Sequence, residues 1–332
     1  MNGMSSYRRR LMAGVYPKEL PNYLCFTALE SGTFSFTMNA PIGISRYEYV
    51  EYSLNGDEWV RTYNEDSIAI TATTPIIEAG NVVYWRGKGN QTSYGTGSNQ
   101  FSRFSSTGKF NVSGCPYSLI KPRGFEKMVN LNVGNCGLAM LFDSTNVVNA
   151  DGLLLPATKS SNGSHIYQRL FSNCSKLVSA KFNLPINSNQ CTSQMFWNCS
   201  SLVNPPIFPK LTAYVNNAHV WTFTNCTALT EAPDLLTENV GTSNFVMLYN
   251  GCRNLSYIKM LALNIPTNGF ASWVSNVAAN GIFVKHIDAT WDVSGSNGVP
   301  TGWTIIYYDP ELDKYYLDQQ RTTECDDHGN PI

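Results

Sequence analysis

The chain has 332 residues, ample for a buried core and, at about 150 residues per domain, long enough for two domains or one domain with an elongated module. Its 23 basic and 24 acidic side chains leave a net charge of −1, which gives no global attraction to nucleic acid or to an anionic membrane. Charged residues make up only 14%, against about 25% in ordinary globular domains, so the surface must be mostly neutral and polar, as in β-rich assemblies and outward-facing structural proteins.

Residues 1–20 read as an arm with a basic cluster, Arg8, Arg9 and Arg10, and no apolar period. The apolar run Leu11 to Val15 is cut short by Tyr16-Pro17-Lys18-Glu19, so it is not expected to act as an export signal. No apolar stretch approaches the roughly 20 residues of a membrane span, and no membrane insertion is expected. From residue 21 to 115 short β-prone runs alternate with turn signals: Tyr23 to Leu29, Thr33 to Thr37, Tyr49 to Leu54, Val82 to Arg86 and Phe110 to Gly114. Asn55-Gly56 and Ala79-Gly80-Asn81 mark hairpin turns between them. This part is expected to be an antiparallel β-sandwich, joined by a connector at 116–136 to the second half of the chain.

That second half carries an internal repeat over residues 137–285. Its units begin Phe171-Ser172-Asn173-Cys174-Ser175-Lys176-Leu177, Phe196-Trp197-Asn198-Cys199-Ser200-Ser201-Leu202, Phe223-Thr224-Asn225-Cys226-Thr227-Ala228-Leu229 and Tyr249-Asn250-Gly251-Cys252-Arg253-Asn254-Leu255. A weaker unit at Phe142 has Thr145 in place of the cysteine, and Trp273 opens a degenerate last one. Spacing of three residues predicts that aromatic, cysteine and leucine share the inward face of a short helical turn leading into a strand, with the asparagine hydrogen-bonding backbone at the turn. Stacked units would form a capped solenoid with columns of Phe, Cys and Leu. Pro156, Pro185, Pro209 and Pro233 are placed to end the strands. A cap at 286–306 and a tail at 307–332 complete the chain, which is thus expected to be mainly β.

The F-x-N-C-[ST]-x-L units resemble the BspA-like branch of the leucine-rich repeats. Tyr52-Ser53-Leu54-Asn55-Gly56-Asp57-Glu58-Trp59 and Ser105 to Phe110 resemble the domain that often precedes such repeats in surface proteins of gut Bacteroidales and their phages, including crAss-like phages. The resemblance implies a leucine-rich-repeat solenoid and a non-enzymatic role, as a phage fibre or tail-associated adhesin on the virion or as a bacterial cell-surface adhesin. It implies that outward strand positions, here Ser179, Lys181, Asn204, Glu231, Tyr257 and Lys259, carry binding to a host-surface glycan or protein.

Catalytic signatures are sparse. There is no HExxH, P-loop or GxSxG, and Gly87 to Thr92 is an incomplete GxGxxG that reads better as a turn. His165, His219, His286 and His328 lack ligand spacing, so neither metal nor cofactor is expected. A glycan-active enzyme would need a carboxylate pair that spacing does not reveal. Nine cysteines without C-x-x-C are expected to be reduced and, in the repeat column, to act as small apolar groups. Asn173, Asn198 and Asn225 satisfy the N-glycosylation pattern, but the repeat itself accounts for them. The acidic tail, with Asp309, Glu311, Asp313, Asp318, Glu324, Asp326 and Asp327, is expected to join the basic arm in docking other virion proteins or a second copy, anchored by Tyr307, Tyr308, Tyr315, Tyr316 and Leu317.

Overall fold

The computed structural model describes residues 23–39, 49–61, 69–88, 101–121, 124–125, 136–155, 164–184, 190–208, 216–238, 240–266 and 268–332. The basic arm, Pro156, Pro185 and Pro209 therefore lie outside the described residues. Within them the chain is mainly β, with one short helix, α1 (Tyr117–Ile120), and one 3-10 turn at Gly295–Asn297.

Strand β1 (Leu24–Ala28) alternates buried Leu24, Phe26 and Ala28 with half-buried Cys25 and Thr27, the period of two expected of a sheet with one face on a core. It lies between β6 (Val82–Lys88) and β8 (Phe110–Gly114), and β6 pairs in turn with β3 (Tyr49–Ser53) and β3 with β4 (Val60–Arg61). A second sheet joins β5 (Ala69–Thr73), β2 (Phe34–Asn39) and β7 (Arg103–Ser106). The two sheets face each other through Phe26, whose ring lies 5.4 Å from Phe34 and 4.8 Å from Phe104. Gly56, at φ 83°, turns the chain after β3, where Asn55 Oδ1 accepts from the Asp57 and Glu58 amides. Strands β5 and β7 were not legible as separate runs in the sequence, and Gly87-Lys88, read there as part of a turn, completes β6.

The first sheet is not wholly antiparallel. Its last strand is β9 (Val147–Leu153), from the weak first repeat unit, paired parallel to β8. The parallel arrangement continues through the bridges Asn149 to Ser179 and Ser179 to Asn204, and reappears at Glu231 to Tyr257. It then enters a sheet of β10 (Tyr257–Met260), β11 (Ile282–His286) and β12 (Thr304–Asp309), again parallel. Ring stacking is continuous with this order: Phe104, Phe142, Phe171, Phe196, Phe223 and Tyr249 follow one another at 5.2 to 5.8 Å, with interplanar angles of 3° to 16°. One apolar core accordingly runs from Leu24 to Trp303 without a break between the front sheets and the repeats.

The repeat motif is not helical. Phe171, Phe196 and Phe223 open turns in which the cysteine amide donates to the aromatic carbonyl three residues back, and the asparagine before each cysteine has φ of 60°, 61° and 63°. That left-handed conformation favours asparagine or glycine, and the fourth unit has Gly251 at φ 78° in its place. Alternate amides before it bond to the next unit, as Gln194 N to Val220 O, Phe196 N to Thr222 O and Asn198 N to Thr224 O. Each unit thus divides its hydrogen bonds between its own turns and its neighbour, which a helix would not do.

The predicted tail is also not a tail. Residues beyond β12 continue the sheet antiparallel as β13 (Lys314–Tyr316) and β14 (Glu324–Cys325). Its acids bond locally: Asp309 to Arg321 at 2.7 Å, Lys314 to Glu324 at 2.7 Å, and Asp318 and Asp326 to the turns beside them. Tyr316 is buried, and Tyr308 and Tyr315 pack together at 4.8 Å. Of the expected anchors, Tyr308, Tyr315 and Tyr316 pack within the chain's own C-terminal sheet, whereas Leu317 stays 37% exposed.

Candidate functional site

The columns expected of the repeat are present. Phe171, Phe196 and Phe223, the cysteines Cys174, Cys199, Cys226 and Cys252, and Leu177, Leu202, Leu229 and Leu255 are all fully buried. The thiols are free and each donates to a carbonyl of the preceding unit: Cys174 to Phe142 O, Cys199 to Phe171 O, Cys226 to Phe196 O and Cys252 to Phe223 O, at 2.9 to 3.1 Å. They are therefore hydrogen-bond donors as well as apolar filler, which spacing did not reveal. Burial pushes the Cys174 and Cys252 thiols up to about 12, so they stay protonated at neutral pH. Asparagines of the motif form a side-chain ladder rather than backbone caps, Asn225 Nδ2 to Asn198 Oδ1 and Asn198 Nδ2 to Asn173 Oδ1 at 2.9 Å, ending on Asp143 Oδ1 at 3.1 Å.

Because successive strand residues alternate faces, the positions between the core residues form an outward row. Ser179 and Asn204 are bridged neighbours in it, as are Glu231 and Tyr257, so the parallel pairing gathers residues that lie about one repeat apart in sequence. Lys181, Glu231 and the half-buried Asn204 and Tyr257 remain accessible. Ser179 is buried instead, its hydroxyl donating to Asp151 Oδ1 at 2.7 Å, and the same oxygen accepts the Lys181 amide at 2.7 Å. Burial opposes ionisation of Asp151, but these bonds, one from Asn149 and the Lys181 charge hold its carboxyl below the usual carboxylate range. Beside them lies a groove of about 440 Å3 with Leu154, Asn183 and Ile207 on its walls.

Lys259 is buried as well. Its ammonium donates to Tyr315 Oη at 2.9 Å and sits 3.9 Å from the Tyr308 ring centre, a cation–π contact. The outward side chains of the last strands, Val284 and Ile306 with Tyr257 and Ile282, form a small second apolar cluster closed by Cys325. The C-terminal segment passes over this face, and the His328 ring reaches 5.7 Å from that of Tyr257. Between the segment and the sheet is a cleft of about 240 Å3 lined by Glu231, Asp234, Tyr257 and Lys259 from one side and Tyr315, Asp327 and His328 from the other.

Charge in this cleft is mixed. Burial, and then Asp327, raise the Asp234 carboxyl pKa, while Lys259 pulls it the other way. The hydrogen bond that His328 makes to Asp327 at 2.7 Å, with the charge of that aspartate, raises His328 above the ordinary histidine value. Asp234, Tyr315, Asp327 and His328 were not assigned to the face from sequence, because Asp234 sits between the bridged Glu231 and Leu235 off the strand alternation and the others arrive with the returning C-terminus, with no spacing signature.

Trp197 lies over Arg169 on the turn side, and Trp221 is half-buried there, away from the outward row. Among the described residues no three His, Cys, Asp or Glu side chains gather as a metal-ligand set, and no helix is long and apolar enough to cross a membrane. No family model, curated protein or solved structure significantly matches this chain.

Proposed function

We propose that the chain is a non-enzymatic bacteriophage virion structural protein, a fibre or tail-associated adhesin. Its stacked units act as a short leucine-rich-repeat solenoid displaying one sheet face to a host-surface glycan or protein. The observation that carries this reading is the division of the two sheet faces. The inner face is committed to one aromatic column and core, whereas the outer face keeps a row of accessible polar and aromatic groups from Lys181 through Asn204 to Glu231 and Tyr257. A rigid sheet presenting unspent polar side chains is suited to recognition, since little ordering entropy remains to be lost on binding.

Two measurements test it. Mass spectrometry of purified virions is expected to detect the protein, and binding of labelled protein to host cells is expected to fall at least tenfold when Lys181→Glu is combined with Asn204→Lys. Absence from virions, with exposure on cells free of prophage, would instead make it a bacterial surface adhesin; unchanged cell binding by the double variant would remove this face from recognition.

A further inference from the structure

We propose that the cleft closed by the C-terminal segment over Tyr257 and Lys259 binds one uncharged saccharide residue of the host ligand. This deepens the adhesin reading and rests on it. Three observations converge there.

First, the groups in the cleft offer both halves of a hydroxyl's hydrogen-bonding capacity. Glu231 and Asp234 accept no hydrogen bond from the described residues, so their oxygens are available as acceptors. The Lys259 ammonium spends one proton on Tyr315 and has no ion-pair partner among the described residues, although the residue is only 8% exposed. A buried ammonium normally has a carboxylate beside it. Here two tyrosines hold it, and Asp234 is close enough to feel its charge without touching it. The His328 ring uses Nδ1 on Asp327, leaving Nε2 for a ligand.

Second, the cleft carries charges of both signs. An anion would meet Glu231, Asp234 and Asp327, and a cation would meet Lys259 and a histidine whose pKa lies above its ordinary value. A neutral ligand whose hydroxyls both donate and accept satisfies donors and acceptors together. Third, the half-buried Tyr257 ring, tilted against His328 with centroids 5.7 Å apart, supplies apolar surface beside these polar groups for the C–H groups of a sugar ring. The volume of about 240 Å3 falls below the roughly 300–1,000 Å3 of pockets for drug-sized ligands, which suits one ring of a longer glycan whose remainder runs along the open face.

The intact chain should be applied to an array of immobilised neutral, amino-bearing and uronic oligosaccharides. Retention of neutral glycans is expected, weakened at least tenfold by Asp234→Asn and by Tyr257→Ala and unchanged by Lys176→Ala, a substitution at an exposed turn away from the cleft. Circular dichroism and the thermal midpoint check that each variant is folded; Asp234→Asn keeps the side-chain shape and loses no hydrogen bond. Preference for amino or uronic sugars, no retention of neutral ones, or retention indifferent to both cleft variants would overturn the proposal. If host-cell binding is lost in the Lys181/Asn204 double variant but survives both cleft variants, the adhesin reading stands and the saccharide cleft fails.

Discussion

At the scale of single residues, the repeat cysteines illustrate how a hydrogen bond can reverse an expected mutational order. A purely apolar column would make Cys199→Ala milder than Cys199→Ser. The thiol donates to Phe171 O at 3.0 Å, and a serine hydroxyl has the same acceptor available. Thr145, at the equivalent place in the first unit, donates to Phe142 O of its own turn at 2.9 Å, so a hydroxyl at this position also has a carbonyl within reach there. Cys199→Ser is therefore expected to cost about 1 kcal/mol or less and Cys199→Ala about 1–2 kcal/mol, through lost contacts and the void left behind. Urea denaturation with an unchanged slope measures both, and a milder alanine variant would contradict the donor role. His219 gives a second prediction. It is fully buried between Phe208 and Phe245, with its Nδ1 2.9 Å from Thr192 Oγ1, and burial lowers its pKa to about 3. The unfolded chain takes up this proton near pH ~6.5 while the folded chain does not. Stability is thus complete above that value and falls, by up to about 1.4 kcal/mol per pH unit, as pH drops toward the folded pKa. Urea midpoints collected between neutral and mildly acidic pH should show this slope, and His219→Phe should flatten it.

At the scale of elements, the turn motif and the C-terminal strands each have a local point of control. The asparagine ladder stops at Gly251, where an added Cβ would collide with Asn225 Oδ1 in a backbone already at φ 78°. Gly251→Ala is expected to cost about 1–3 kcal/mol, more than Asn198→Gly, which keeps the left-handed backbone and loses only ladder bonds. Thermal midpoints of the two variants decide the order. In the C-terminal strands, Asp309 is 2% exposed, pairs with Arg321 and accepts the Glu311 and Leu312 amides. The Arg321 bond, followed by those amides, holds its carboxyl below the usual range, so its contribution is present above the unfolded carboxylate value and lost as pH falls through the folded one. Asp309→Asn should speed hydrogen exchange in β12 and β13 at neutral pH and remove the acid dependence of that exchange. Equal exchange in variant and parent would dismiss the pair as a clamp.

At the scale of the whole molecule, continuity of the aromatic column from Phe104 to Tyr249 couples the front sheets to the repeats. Phe196→Ala removes a ring from the middle of this stack and should cost about 3–5 kcal/mol while shifting one common unfolding transition. Two separated calorimetric peaks would mean that the halves unfold independently. Truncation at residue 310 has a different outcome from the removal of a loose tail. It strips the cover from Val284, Ile306 and Tyr257, so the shortened chain should be less stable and should bind a hydrophobic dye.

The F-x-N-C spacing, the alternation in Leu24, Phe26 and Ala28 and the turn at Asn55-Gly56 were all readable in the sequence, because each is a local steric or periodic demand that a few adjacent residues satisfy by themselves. That reading placed the inward columns and nominated Lys181, Asn204, Glu231 and Tyr257 for the outer face. It misjudged the motif as helical, since three-residue spacing suits a helix and a run of turns alike, and the left-handed asparagines distinguish them only once the neighbouring unit accepts the remaining amides. Burial of Ser179 and Lys259 and the joining of Asp234, Asp327 and His328 into one cleft depended on the tertiary structure. Those contacts arise from register between strands tens of residues apart and from a C-terminus that folds back over an apolar face, and long-range pairing of this kind leaves no periodic mark along the chain.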